Sequence, residues 1–373
     1  MAHEYRLDLL RLFAALLVVV GHLAIFGLHI PSYATTGADR AFGGLAPVGW
    51  FGWIGVEIFF VISGYVIAAS AVGNGAGRFL TKRAVRVFPA LWICSSIALL
   101  VRLAWGEPLG PTFASFLRSV VLSPQGPYID GVVWTLVLEA VFYVLVAGLI
   151  FGRDTASQRS RALERGAVVL GSFSAVFLLV CLAVETANPV IGGTPLSELL
   201  RRFPFKVALL WHGVFFALGM LLRSIRSNGA TRGKLAASVF LAGMCAMEIA
   251  LKNAGEAGSA AIPIAIWALA VGVIVWPVAT GRPRPVGSRN LNWMRQLGLL
   301  TYPLYLNHFT LGMYLVPFLA PVIGNRLVLL AMVCMLILGS SILLVLLPEQ
   351  RLQDWGSRNL LRRKSPTLPV RIG

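Results

Sequence analysis

Charged residues are scarce in this sequence. Of its 373 residues, 13% are Asp, Glu, Lys or Arg and 57% are hydrophobic, and the mean hydropathy is +0.79. Soluble domains have about 25% charged residues, so this chain has too little polar surface to cover a water-soluble globule. The composition excludes a soluble enzyme, a nucleic-acid-binding module and a disordered chain, and it indicates a polytopic membrane protein.

Residues arranged for cross-links, metal ions or nucleotides are also lacking. The four cysteines stand singly, without a CxxC pair, at Cys94, Cys181, Cys245 and Cys334. Such cysteines are typical of buried thiols. His22, His308 and a carboxylate are a conceivable zinc set, but no HxxxH or HxxE spacing supports it, so we predict no metal site. Walker, Rossmann and GxSxG motifs are absent, which gives no support to ATP-driven work or an elbow-type serine hydrolase.

Long apolar segments recur along the chain. A helix of about 20 residues crosses hydrocarbon about 30 Å thick without leaving backbone groups unpaired. Ten segments predict an all-α membrane bundle of about ten helices: 9–30, 50–71, 87–104, 132–151, 166–184, 205–222, 235–251, 260–279, 297–319 and 327–347. A stretch at 113–122 is too short to span. We expect one membrane domain at 1–347 and a short basic tail at 348–373.

Lysine and arginine, which give the chain a net charge of +17, are concentrated in alternate loops. With the N-terminus in the cytoplasm, the inside loops and the tail carry +18 in total and the outside loops carry −1. This asymmetry follows the positive-inside rule. We therefore predict that both termini are cytoplasmic and that the basic charge reflects topology, with no need for nucleic acid.

Ionisable residues inside the predicted spans are few, and their insertion cost makes them candidates for function. In the first span Arg11 and His22 are eleven residues apart, which places them on one helix face about 16 Å apart. His22 suits the role of a base, because histidine titrates near neutral pH. The alternatives are snorkelling of Arg11 to the membrane surface and an ordinary interhelical hydrogen bond for His22.

The second span carries a carboxylate beside small residues. Glu57 and Gly64 are seven residues apart and share a face, so another helix could approach closely beside the carboxylate. Ser63 precedes that glycine, and the pair is also explained by ordinary small-residue packing. Glu57 is alternatively a counter-ion for Arg11.

The fourth span carries a polar stripe. Thr135, Glu139 and Tyr143 recur at intervals of four residues, and Trp134 directly precedes the first of them. A buried carboxylate needs a partner or a proton, so we expect Glu139 to face the same interior as the ionisable residues of the first span. A purely structural Glu–Arg pair is the alternative.

Two further groups lie near other spans. Lys82, Arg83 and Arg86, before the third span, can bind phosphates through charge-assisted bonds or simply anchor the loop. In the ninth span Tyr305 and His308 are helix neighbours, either as a functional pair or as an aromatic belt with a capping histidine. His212, in the sixth span, is interpreted as structural.

Taken together, these segments resemble the membrane-bound acyltransferase 3 family. The matching pieces, from residue 6 to about 310, are the Arg11-to-His22 spacing, Gly55-Val-Glu57-Ile-Phe-Phe-Val-Ile-Ser63-Gly64, Arg83-x-x-Arg86-x-x-Pro89, Trp134-Thr135-Leu136-x-x-Glu139-x-x-Phe142-Tyr143 and Tyr302-Pro-Leu-Tyr-Leu-x-His308. Two departures are Thr135, where serine is usual, and Asn307, where tryptophan is common.

The resemblance implies a ten-helix enzyme of the bacterial inner membrane. It would transfer an acyl group, most often acetyl, from cytoplasmic acyl-CoA to a hydroxyl of a cell-surface polysaccharide, lipid-linked sugar or small glycoside. Lys82, Arg83 and Arg86, with Arg11, would bind the CoA phosphates. His22 would be the general base or a transient acyl carrier, and Glu139 would orient His22 or balance Arg11.

Six more residues are expected to line the substrate pore: Glu57, Ser63, Trp134, Thr135, Tyr305 and His308. The alternative function is a transporter or flippase for a lipid-linked sugar or exported metabolite, which would also need ten spans and buried charge. A membrane sensor is a third possibility, although no cytoplasmic output domain is evident in the sequence.

Overall fold

The computed structural model describes residues 5–29, 49–187, 194–253, 258–280 and 288–344. The predicted tail at 348–373, most of the loop at 31–49 and parts of three other predicted loops lie outside the described residues. The described part contains helices and no strand, which confirms the all-α prediction. The helices are α1 (Tyr5–His29), α2 (Ile54–Val72), α3 (Ala76–Ala104), α4 (Leu109–Val120), α5 (Val133–Ile150), α6 (Ala156–Ala187), α7 (Pro195–Leu200), α8 (Phe203–Val207), α9 (Gly213–Asn228), α10 (Arg232–Asn253), α11 (Ala261–Thr280), α12 (Ser288–Leu319) and α13 (Arg326–Leu344).

Each of the ten predicted segments overlaps one of the helices α1, α2, α3, α5, α6 and α9 to α13. Six of these, α2, α3, α5, α6, α10 and α13, are long and apolar enough to cross a membrane. Large apolar side chains such as Val144, Phe173 and Phe240 are exposed on their outer faces, as expected where lipid takes the place of water. The stretch at 113–122 lies mostly in α4, which has 12 residues and is too short to span.

The sixth predicted segment, 205–222, differs from the structure. Leu209 has a φ of 59°, a left-handed conformation that an α-helix of L-residues does not continue through. The chain therefore forms the short α8, then turns, and α9 begins at Gly213 and ends at Asn228. The helix lies eight residues later than predicted at its start, and His212 becomes the residue that precedes it.

Helix α2 is the centre of the bundle, in contact with α1, α3, α5, α6, α9 and α11. It crosses α9 closely, where Gly64 and Gly219 let the backbones meet. A Cβ on Gly64 would lie 2.1 Å from the carbonyl oxygen of Phe216. The close approach expected on the face of Glu57 and Gly64 is therefore present, and α9 is the helix that makes it.

This crossing predicts a stability effect. The change Gly64→Ala would force α2 and α9 apart, and overpacking of this kind costs about 1–3 kcal/mol. We expect a lower thermal unfolding midpoint in detergent. The control is Gly148→Ala in α5, because a Cβ there meets nothing within 4 Å. Equal midpoints for the two variants would contradict the crossing.

Candidate active site

A cavity lies between α1, α2, α3, α5 and α12. It contains about 880 Å³ of unfilled space, including its opening to solvent. Its polar lining consists of Arg11, Ser63, Arg83, Arg86, Thr135, Glu139, Tyr143, Thr301, Tyr302 and Tyr305. Five helices thus bring together seven of the predicted site residues, which come from five separate motifs.

The cavity is deep as well as polar. Its wall on α2 runs from Val56 to Ile67, eleven residues or about 16 Å along the helix. Arg86 lies at its rim, since it lines the cavity and is exposed. In the predicted topology this rim faces the cytoplasm, and the end at Thr135 and Tyr305 lies towards the opposite side.

Arg11 is held in place by a residue that the sequence reasoning did not select. Its Nη1 donates to Asp8 Oδ1 at 3.0 Å, one helical turn earlier. Gly298 of α12 permits this arrangement, because a Cβ there would lie 2.8 Å from Cγ of Asp8. The i,i+3 spacing of Asp8 and Arg11 was the available signal. Snorkelling of Arg11 to the surface is not observed, because its guanidinium lines the cavity.

Glu139 is bound to the second span. Ser63 Oγ donates to Glu139 Oε1 at 2.8 Å, across 76 residues of sequence. Both residues line the same cavity as Arg11, Arg83 and Arg86, so a negative charge on Glu139 balances a cationic wall. Glu139 lines the cavity together with Arg11, as expected, and its described hydrogen bond is to Ser63 rather than to His22.

Deeper in the cavity, two hydroxyl groups join α5 to α12. Thr135 Oγ1 donates to the carbonyl oxygen of Val132 at 2.8 Å and lies 3.0 Å from Tyr305 Oη. A hydroxyl has one proton to donate, so Tyr305 is the donor in the second hydrogen bond. The contact with Tyr305 needs only a side-chain hydroxyl, so Thr135 can make it as well as the serine that is usual at this position.

The cationic cluster divides in the structure. Arg83 and Arg86 line the cavity, and Arg83 Nη2 donates to Ser70 Oγ at 3.3 Å. Lys82 is not part of the lining, because its Nζ donates to Asn74 Oδ1 at 2.7 Å. Its neighbour Arg83 lies about 100° around the helix, which is enough for the two side chains to face different surroundings. Of the three residues predicted to bind phosphate, Arg83 and Arg86 therefore line the cavity and Lys82 does not.

His22 pairs with His308. Nδ1 of His22 and Nε2 of His308 are 2.9 Å apart, although the residues are 286 positions apart in sequence. His308 Nδ1 lies 2.8 Å from the carbonyl oxygen of Tyr305, and a carbonyl only accepts. In neutral rings, His308 Nδ1 therefore carries the proton and its Nε2 accepts from His22 Nδ1. The lone pair of His22 is then on Nε2, the state that a general base requires.

The histidine pair lies behind the cavity wall. His308 packs against Tyr305 with ring centroids 5.7 Å apart, and Tyr305 lines the cavity. Neither histidine belongs to the lining itself. His308, predicted to line the pore, instead orients His22, and Tyr305 separates the pair from the cavity.

Glu57 and Trp134 are placed outside the cavity. Glu57 accepts from Lys252 Nζ at 2.8 Å, so the interpretation of Glu57 as a counter-ion for Arg11 is wrong. Glu57 and Ser63 are six residues apart and therefore about 120° apart around α2, so only Ser63 faces the cavity. The Trp134 ring packs against His212, with centroids 5.8 Å apart, on the same side as Glu57.

Comparisons with the sequences of known proteins identify the same family as these motifs. The profile of the acyltransferase 3 family, described as an acyltransferase domain, matches residues 4–345. Nodulation protein 10 of Rhizobium leguminosarum bv. viciae is 29% identical over 339 residues, which cover 82% of each chain. No solved structure matches the chain.

Two other relatives match shorter regions. The O-acetyl transferase of Shigella phage Sf6 is 32% identical over 158 residues, 37% of this chain and 43% of the relative. Exopolysaccharide production protein ExoZ of Rhizobium meliloti (strain 1021) is 30% identical over 110 residues, 27% of this chain and 35% of the relative. With its family profile matched over nearly the whole sequence and its motif residues assembled in one helical bundle, this chain belongs to the acyltransferase 3 family and is a multi-pass membrane acyltransferase.

Proposed function

We propose that this protein is an O-acyltransferase of the bacterial inner membrane. It moves an acyl group, acetyl in the first instance, from cytoplasmic acyl-CoA to a hydroxyl of a cell-surface polysaccharide, lipid-linked sugar or small glycoside. The name of the phage relative supports acetyl transfer to oxygen. The name of one rhizobial relative, which concerns exopolysaccharide production, supports a carbohydrate acceptor.

The observation that carries this proposal is the shared cavity of Arg11, Arg83, Arg86 and Glu139. Guanidinium groups form short, often bidentate bonds to phosphate, and CoA carries its phosphates at the end remote from the thioester. Binding of those phosphates at the rim would direct the pantetheine arm into the cavity. A reach of about 16 Å along α2 suits a long, narrow substrate.

The transfer itself needs a base near the end of the cavity that is remote from the rim arginines. The acceptor hydroxyl oxygen attacks the thioester carbonyl carbon, its proton goes to His22 Nε2, and the carbon–sulfur bond breaks. The departing CoA thiolate then takes the proton from His22. In the route with an acyl carrier, His22 Nε2 attacks the thioester carbonyl carbon, the carbon–sulfur bond breaks and CoA leaves as the thiolate. The acceptor hydroxyl oxygen then attacks the carbonyl carbon of the acyl-histidine, the bond to Nε2 breaks, and the hydroxyl proton goes to the CoA thiolate. Both routes use the lone pair that the His308 contact places on Nε2, and both require the acyl group to pass Tyr305.

The proposal includes a topology. All ten helices that overlap the predicted segments would cross the membrane, with both termini in the cytoplasm. Four of them, α1, α9, α11 and α12, are not among the six helices that meet the length and composition requirement within the described residues. Neighbouring helices in the bundle would satisfy the polar groups of these four. The rim arginines then face the compartment that contains CoA.

Purified protein in liposomes, supplied with acetyl-CoA labelled in the acetyl group and with envelope glycan, tests the activity. We expect release of CoA thiol together with label that alkali removes from the glycan, as an O-ester. A transporter or flippase would release no CoA. Liposomes without protein are the control, and CoA release equal to that control would overturn the proposal.

A further inference from the structure

Glu57, His212 and Glu248 form a second group of ionisable side chains, outside the cavity. They come from α2, from the turn before α9, and from α10. All three are almost completely buried, with exposed fractions of 0%, 2% and 1%. One ligand-type atom from each lies within 4.8 Å of those of the other two. The acyl-transfer chemistry proposed above uses none of them.

The distances in this group lie at or beyond the upper end of the range for hydrogen bonds. His212 Nδ1 lies 3.3 Å from Glu57 Oε2 and 3.6 Å from Glu248 Oε1, whereas a hydrogen bond between nitrogen and oxygen is about 2.7–3.2 Å long. Within the described residues, neither ring nitrogen of His212 has a hydrogen-bond partner, and the same is true of Glu57 Oε2 and Glu248 Oε2. Buried polar atoms without partners are costly, so the arrangement calls for another group.

A metal ion fits these distances. Nitrogen and oxygen ligands lie about 2.0–2.2 Å from a four-coordinate Zn²⁺, and at tetrahedral angles two such ligands are about 3.4 Å apart. The separations of 3.3 and 3.6 Å on either side of His212 Nδ1 match this value. We propose that Glu57, His212 and Glu248 bind a divalent transition-metal ion of the zinc class.

The surroundings have the features of a metal site. Lys252 Nζ donates to Oε1 of Glu57 at 2.8 Å, which leaves Oε2 directed at His212. A ligating carboxylate is commonly hydrogen-bonded through its other oxygen in this way. The charge of Lys252, which contacts Glu57, and the more distant charge of Lys206 act on both carboxylates. A divalent cation would lie directly between these carboxylates and His212. Imidazole and carboxylate ligands together favour zinc and neighbouring metals over Ca²⁺.

The location gives the ion a structural role. It would link α2 to α9 and α10 beside the glycine crossing. The ring of His212 packs on Phe60 with centroids 5.1 Å apart, and Phe60 lines the acyltransferase cavity. The ion would therefore hold one wall of the cavity, and its loss would lower stability before it altered any chemical step.

The experiment uses full-length protein purified in detergent with a tag that contains no histidine. After treatment with a chelator, the protein is titrated with Co²⁺, whose visible absorption reports coordination, and then with Zn²⁺. We expect about one equivalent of Co²⁺ per chain, visible bands that Zn²⁺ abolishes, and a rise in thermal midpoint with either ion. No stoichiometric uptake by the wild-type protein would overturn the proposal, whatever the variants do.

Two variants and a control locate the site. His212→Ala and Glu248→Gln should each abolish the visible bands and the metal-dependent rise in midpoint. Glu164→Gln is the matched control, because Glu164 is a carboxylate paired with Ser224 and Lys234 elsewhere in the bundle, and it should bind Co²⁺ like the wild type. Unchanged bands in either His212→Ala or Glu248→Gln would show that the ion binds elsewhere.

Discussion

The variant His22→Ala should lose acyl transfer by about 10²–10⁴-fold, the range that a positioned general acid or base contributes. Its abundance in the membrane should stay normal, because the side chain is only partly buried and an alanine leaves the α1 backbone intact. The measurement is the rate of labelled ester formation in liposomes at saturating acetyl-CoA. A rate equal to that of the wild type would remove His22 from the mechanism.

A companion variant separates chemistry from positioning. His308→Ala removes the acceptor that holds His22 Nδ1 at 2.9 Å but leaves the base itself in place. We expect a smaller fall in kcat than for His22→Ala and an unchanged KM for acetyl-CoA, because the rim arginines are untouched. A rise in KM with normal kcat would instead indicate that His308 contributes to donor binding.

The double variant Arg83→Ala/Arg86→Ala should raise the KM for acetyl-CoA by at least about 100-fold. Each hydrogen bond to a charged group contributes about 1.5–3 kcal/mol, and 1.4 kcal/mol is a factor of ten in affinity. The effect should appear in KM rather than kcat, because the phosphates are remote from the thioester. High salt should also raise the KM of the wild-type enzyme for acetyl-CoA, because salt screens the charges of the arginines and the phosphates.

The control for this prediction is Arg78→Ala. Arg78 belongs to the same helix and the same predicted cytoplasmic end, but it is exposed and does not line the cavity. It should leave KM unchanged. Equal effects from Arg78→Ala and the double variant would mean that these arginines serve membrane topology alone, through the positive-inside rule.

The fold was predictable in outline because hydropathy is a local property. A run of about 20 apolar residues must be helical in lipid, and every predicted segment overlaps a helix. Segment ends were less predictable: α3 begins at Ala76 and α6 at Ala156, each about ten residues before the predicted span. These additional turns lie at the predicted cytoplasmic ends, where charged residues are as compatible with a helix as apolar ones.

The candidate site was predictable where helix geometry alone determines which side chains share a face. The spacing of Thr135 and Glu139 placed both on one face, and both line the cavity. Glu57 shares a face with Gly64, and that face packs on α9, so Glu57 cannot also face the cavity with Ser63. Asp8, one turn before Arg11, was overlooked because it precedes the predicted span.

Partners between helices were decided by the tertiary structure. His22 meets His308 across 286 residues, Glu57 meets Lys252 across 195, and Ser63 meets Glu139 across 76. No spacing within a single helix predicts such contacts, because they depend on which faces the whole bundle brings together and on close crossings such as Gly64 with Phe216. By itself, the amino-acid order determined that the chain is helical, membrane-embedded and equipped with the family's motifs. The packing of α2 against its neighbours decided that the arginines share a cavity with Glu139, that His22 lies behind Tyr305, and that His212 joins two carboxylates.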